Sequence, residues 1–149
     1  MPLKIKGNNE IVIGDVLIGE VWLGSGQSNM AMTVKASQDF QKEQSNAQFP
    51  MIRMFKEESS ATTEEQTIGK GQWVVCSPES VGGFSATLYF FGREIHKAIG
   101  VPVGLINSSE GGIPIESWIS IGCDNDWLGN IDSRFALRNP WMKPKRFAV

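Results

Sequence analysis

The sequence predicts an α/β protein, a three-layer arrangement with a central parallel sheet, and three observations carry that prediction. Short apolar runs that read as strands are interleaved with helical stretches. One long helical stretch returns to Val103–Ile106, a run without a polar side chain, as suits a parallel strand buried under helices. Two glycine-containing turns fall just after predicted strands, the place where open α/β sheets hold ligands.

Taken in order, Leu3–Lys6 and Ile11–Ile13 read as short strands separated by the turn signal Gly7-Asn8-Asn9. Ile18–Leu23 is a stronger strand that runs into Gly24-Ser25-Gly26, where glycine allows a sharp turn. A helix can open at Ser28, with Ser28 or Asn29 as its cap. Gln38–Asn46 is polar, a surface helix or loop, and Met51–Phe55 is a strand after Pro50. Glu57–Lys70 is charged and rich in Ser and Thr, so it reads as an exposed excursion before the strand Gln72–Cys76. The strongest helix is Ala86–Ile99, with Ser85 as N-cap, Gly100 as stop and Pro102 beyond. Leu88, Phe91, Ile95 and Ile99 fall on one face of it. Past Gly122 no periodicity persists.

Composition narrows the function classes. The chain has 149 residues, a net charge of -2 and 41% hydrophobic residues, as an ordinary globular protein does. Lys143–Arg146 and its neighbours make one short basic tail, too little to favour nucleic acid or an anionic membrane as partner. Charged or polar residues interrupt every apolar run before it could span a bilayer. Met1–Gly7 has no apolar core of the kind a signal peptide needs. Cys76 and Cys123 lack metal-site spacing and the single histidine, His96, is distant, so no metal or cofactor is expected. Two buried free thiols are the expected state of the cysteines, with a disulfide left open.

The chemistry concentrates at the two glycine turns. Gly26-Gln27-Ser28-Asn29-Met30 places a serine between strand and helix, where its hydroxyl is exposed and helix N–H groups can stabilise an oxyanion. Glu110-Gly111-Gly112, after the other strand, can add an N–H with no side chain in the way. The match to G-x-S-x-G is partial, because Met30 replaces the second glycine. On that motif alone Ser28 reads more simply as a helix cap, with Met30 and Met32 filling core. A dinucleotide loop fits less well: Asn29 stands at the third glycine position and no acid ends the next strand.

The stretch from Gly14 to Met30, GDVLIGEVWLGSGQSNM, resembles the first block of the sialate O-acetylesterases, SGNH-type hydrolases related to acetyl xylan esterases. Gly83-Phe84-Ser85-Ala86, Gly92-Arg93-Glu94 and Val101–Ile106 are similar to that family's next segment, and Ser108–Trp118 to its second glycine block. The resemblance runs in order over roughly residues 3 to 120, far more specific than one motif. It implies hydrolysis of O-acetyl esters on sugars or glycans through an acetyl-enzyme, without a metal or cofactor, and a secreted or periplasmic setting. By the same resemblance Ser28 is the nucleophile. Its own N–H, with that of Gly111 or Gly112, lines the oxyanion hole; Gln27 and Asn29 shape the loop; Glu116 and Trp118 buttress the second turn.

The departures are equally specific. The family's Tyr-Gln-Gly-Glu-type block and its Asp-x-x-His pair are missing, and Glu110 stands where a tryptophan usually precedes the paired glycines. The expected organisation is therefore the tail of a β segment over residues 1–13, the N-terminal part of an SGNH-type esterase domain over 14–121 and an unassigned segment over 122–149. A chain so built is expected to lack part of its domain, to expose apolar surface and to associate with the missing part or with itself. His96, at the edge of the helix's apolar face, is a weak candidate for the absent base. The rival reading is a non-catalytic carbohydrate-binding remnant.

Overall fold

A computed structural model describes residues 2–58 and 68–112. Strands β1 (Leu3–Lys6) and β2 (Glu10–Ile13) form an antiparallel hairpin, with Leu3 opposite Ile13 and Lys6 opposite Glu10. The expected turn at Gly7-Asn8-Asn9 closes it. There follow β3 (Glu20–Gly26), α1 (Ser28–Ala31), α2 (Phe40–Asn46), β4 (Phe49–Glu57), β5 (Gly71–Cys76), α3 (Ala86–Ile99) and β6 (Val103–Ser109).

The second sheet has the order β3-β6-β4-β5. β6 runs parallel to β3 and to β4, so the strands that end in the two glycine turns are neighbours. β5 is antiparallel to β4, which makes the sheet mixed rather than wholly parallel. The chain comes back beside β4 in the opposite sense, as an edge strand can without a crossover between parallel neighbours. β4 runs past the expected Met51–Phe55 at both ends and β3 past Leu23 at its C-terminal end, because the backbone ladder extends beyond the apolar residues, whereas β3 starts only at Glu20, leaving Ile18 outside it. Gly24, Ser25 and Gly26, expected as a turn, complete β3 in register with Asn107, Ser108 and Ser109.

Helix α3 agrees with expectation at both ends. Ser85 accepts a bond from the Leu88 N–H, and Gly100 adopts the left-handed conformation at the C-terminus, where glycine carries no Cβ penalty. Its buried face is the expected one only in part: Leu88 is buried and Ile95 packs against the core. Ala86, Leu88, Tyr89 and Gly92 are buried, whereas Phe91 and Ile99 are exposed. Two glycines turn the helix this way. A Cβ on Gly24 would lie 2.6 Å from Leu88, and one on Gly92 would lie 2.8 Å from Leu105. The helix therefore sits closest to the sheet along the Leu88–Gly92 stripe, over Ile52, Met54, Val103 and Leu105. Phe91 is displaced to the rim, where it meets Trp22 edge-on with ring centroids 5.1 Å apart.

Among the described residues the helices lie on one face of the sheet. Among these residues the other face presents Val21, Leu23, Trp73 and Val75 with 40–62% exposure. Near the N-terminal ends of the strands this face forms an open groove of about 730 Å³ lined by Val21, Met51, Arg53, Trp73 and Pro102. The Arg53 guanidinium is held there by the carbonyl of Asp15 at 2.9 Å and its carboxylate at 2.7 Å. No described helix is long and apolar enough to cross a membrane.

Cys76 is a free thiol buried in the core, while Cys123 lies outside the described residues. Burial pushes the Cys76 thiol up from 9.0 to about 11, against a weaker pull from a backbone bond at Phe49. The unfolded chain thus loses this proton first, and native stability falls as pH rises from about 9 toward 11. Urea unfolding across that range checks this: the decline should shrink in Cys76→Ala, which cannot ionise. Gly24→Ala should destabilise the fold by about 1–3 kcal/mol by forcing Leu88 and α3 away from β3. Thermal melting reads that loss, and an unchanged melting temperature would refute the close approach.

Candidate active site

The candidate site is built where β3 and β6 end side by side. The last rungs pair Ser25 with Ser108 and Gly26 with Ser109, and the Glu110 N–H continues the ladder by donating to the Gly26 carbonyl at 3.1 Å. Gly26 has φ +146°, a conformation that residues with side chains rarely adopt, and it aims the chain from strand into helix. Ser28 is the first residue of α1, not its cap. Gln27 occupies the cap position and makes no side-chain capping bond. The Ser28 hydroxyl is thereby released from capping and sits exposed at the sheet's C-terminal edge.

From the other strand the second turn closes on it. A Cβ built on Gly111 would lie 3.5 Å from the Ser28 Oγ, so the side of Gly111 that carries only hydrogen faces the hydroxyl. Gly112 follows with φ +78°. The structure thus brings Ser28, Gln27, Asn29, Gly111 and Gly112 together, with Gln27, Asn29 and Glu110 exposed at the rim. Glu116 and Trp118 lie outside the described residues. Below the turn, Ser109 Oγ donates to Asn107 Oδ1 at 2.6 Å. Asn107 and Ser109 stand opposite Gly24 and Gly26 on the neighbouring strand, so β3 offers them no side-chain partner.

Helix α1 has only four residues, too few to hold its shape unaided. Its first N–H groups have no acceptor within the helix, and its carbonyls need donors from elsewhere. The N-terminus of α3 supplies them. Ser85 Oγ donates to the Met30 carbonyl at 2.6 Å, Thr87 Oγ1 to the Asn29 carbonyl at 3.1 Å, and the Ala86 N–H to the Met32 carbonyl at 2.8 Å. Sequence reasoning identified Ser85 only as a helix cap and passed over Thr87. A serine and a threonine in the first turn of a helix carry no signal that names a distant carbonyl.

His96 is not placed to serve Ser28. It lies in the last turn of α3, with Nδ1 2.7 Å from the Val101 carbonyl oxygen and its ring edge-on to Phe49. Thr87, which touches the Ser28 turn, is nine residues earlier, about 13 Å along the helix axis. His96 is also the only histidine in the sequence. Among the described residues no cluster of His, Cys, Asp or Glu could hold a metal ion.

The mixed α/β sheet thus carries an exposed serine at a strand-to-helix turn, faced by a glycine turn on the adjacent strand. The family model described as carbohydrate esterase, sialic acid-specific acetylesterase, matches residues 18–131, and the chain belongs to that family. The sialate O-acetylesterase of Pongo abelii is 40% identical over 126 residues, which are 77% of this chain and 24% of the relative. That of Homo sapiens is 38% identical over 124 residues, with the same coverage of each. The crystal structure of a carbohydrate acetylesterase from Xanthomonas citri superposes with a TM-score of 0.76 at 33% identity, over 84% of this chain and 30% of that one. The chain thus spans about a quarter of the length of these curated relatives.

Ser85→Ala removes both the cap of α3 and the donor to Met30, and should cost about 1–3 kcal/mol of stability. Denaturant unfolding measures the loss. Ser85→Thr, which keeps the hydroxyl, should recover much of it.

Proposed function

We propose that the Ser28 turn is the nucleophile site of an esterase that removes O-acetyl groups from sugars through an acetyl-enzyme. The observation that carries this reading is the approach of Gly111 to the Ser28 hydroxyl across the β3–β6 pair. Ser28 attacks the acetyl carbonyl, the carbonyl oxygen becomes an oxyanion, and the sugar hydroxyl leaves with a proton. Water then releases acetate and regenerates the serine. The Ser28 N–H and that of Gly111 or Gly112 are assigned to the oxyanion, because charge develops there and a fixed N–H costs no reorganisation. Gln27 and Asn29 shape the loop around the nucleophile, and Glu116 and Trp118 are assigned to support of the second turn. The names of the relatives, sialate O-acetylesterase and carbohydrate acetylesterase, support an acetylated sugar or glycan as substrate.

The position of His96 favours a second reading, in which the turn holds a sugar without turning it over. A serine hydroxyl with no base is a weak nucleophile near neutral pH, and loss of a triad member costs orders of magnitude in rate while the oxyanion hole retains some catalysis. Hydrolysis of p-nitrophenyl acetate by the full chain, compared with Ser28→Ala, separates the two. Under the esterase reading the wild type exceeds the variant by at least about tenfold, since formation of the acetyl-enzyme needs the Ser28 hydroxyl. Equal rates from two folded proteins would leave sugar binding as the function of this chain.

A further inference from the structure

We propose that Thr87 is a positioning residue for Ser28: its hydroxyl, bonded to the Asn29 carbonyl, sets the orientation of the short nucleophile helix. The inference rests on the esterase reading of that turn and deepens it. Three observations carry it. First, α1 is a single turn whose own bonds, Met30 and Ala31 N–H to Gln27 and Met32 N–H to Ser28, cannot fix its direction in space. Second, two of its outside anchors have other duties. Ser85 caps α3 and is fully buried, and the Ala86 N–H belongs to the backbone. Thr87 is exposed, and among the described residues the hydrogen bond of its hydroxyl goes to Asn29. Third, the Thr87 bond lands on the residue next to Ser28, nearer the nucleophile than the Ser85 bond to Met30.

The consequence is geometric. The Ser28 Oγ and the glycine turn come from different strands, and the reacting carbonyl must fit between them. A small rotation of α1 moves the hydroxyl relative to Gly111 while leaving the core under α3 untouched. Loss of the Thr87 bond should therefore lower the chemical step rather than substrate binding or global stability, because misplacement by a fraction of an ångström weakens attack.

The test uses the full chain. Thr87→Val keeps the shape and removes the hydroxyl; Thr87→Ser keeps the hydroxyl and removes the methyl. Ser28-dependent turnover of p-nitrophenyl acetate, corrected with Ser28→Ala, is measured beside hydrogen–deuterium exchange of the segment 27–32 and thermal melting. The expected result is a kcat about three- to tenfold lower in Thr87→Val with KM little changed, the size of one lost hydrogen bond. Exchange in 27–32 should quicken, melting should hold, and Thr87→Ser should return both kcat and exchange toward wild type. Wild-type kcat and exchange in Thr87→Val would overturn the positioning role and leave the esterase reading standing. A wild type no faster than Ser28→Ala would overturn the esterase reading itself, and the positioning role with it.

Discussion

The docking of α1 onto the first turn of α3 is the contact on which the site depends. A four-residue helix has more orphan backbone groups than residues, and it persists here because Ser85, Ala86 and Thr87 bond the carbonyls of the turn. Ser85 serves two helices at once. Its oxygen accepts from Leu88 and its proton goes to Met30, so the start of α3 and the direction of α1 are one structural fact. Because α3 is in turn seated on the sheet through Gly24 and Gly92, the Ser28 turn inherits its position from the core.

The glycines of β3 work in the same direction. Gly24 admits Leu88 and so lets α3 approach closely, while Gly26 turns the chain out of the sheet with a backbone conformation that side chains resist. Across the rungs, Asn107 and Ser109 bond each other in the space that those glycines leave. A polar pair of this kind, half-buried under the turn, would cost stability if unsatisfied; satisfied, it is a firm floor. The geometry of the candidate site is therefore carried by regular elements, with turns only at the last two or three residues. That is the usual way a rigid scaffold presents reactive groups.

The two faces of the sheet differ sharply. One is packed under α3. The other presents branched and aromatic side chains in a row, with Trp73 tilted against Phe55 and the tip of its ring near Gly104. A surface of that composition is the kind that proteins bury against other polypeptide. The groove on this face lies toward the N-terminal ends of β3 and β6, the opposite end of those strands from Ser28.

Local signals made much of this legible in the sequence. The N-cap serine, the glycine stop and the proline beyond it delimited α3, because each acts on the backbone within a residue or two. The hairpin turn and the strand-to-helix passage at Ser28 were readable for the same reason, and the long ordered resemblance singled out Ser28 and the paired glycines. The face that α3 buries was read correctly at Leu88 and Ile95 and misread at Phe91 and Ile99, because the pattern of large apolar residues does not record that a glycine is the point of closest approach. Ser28 as a cap was misread as well, since Gln27 takes that place only once Gly26 has turned the strand. The position of His96 relative to Ser28, the donors that Thr87 and Ser85 send to a turn more than fifty residues away, and the antiparallel placement of β5 are decided only in three dimensions. Each depends on which strand lies beside which. A chain's own neighbours determine its turns and caps, but the partners that hold a reactive group in place come from wherever the core brings them.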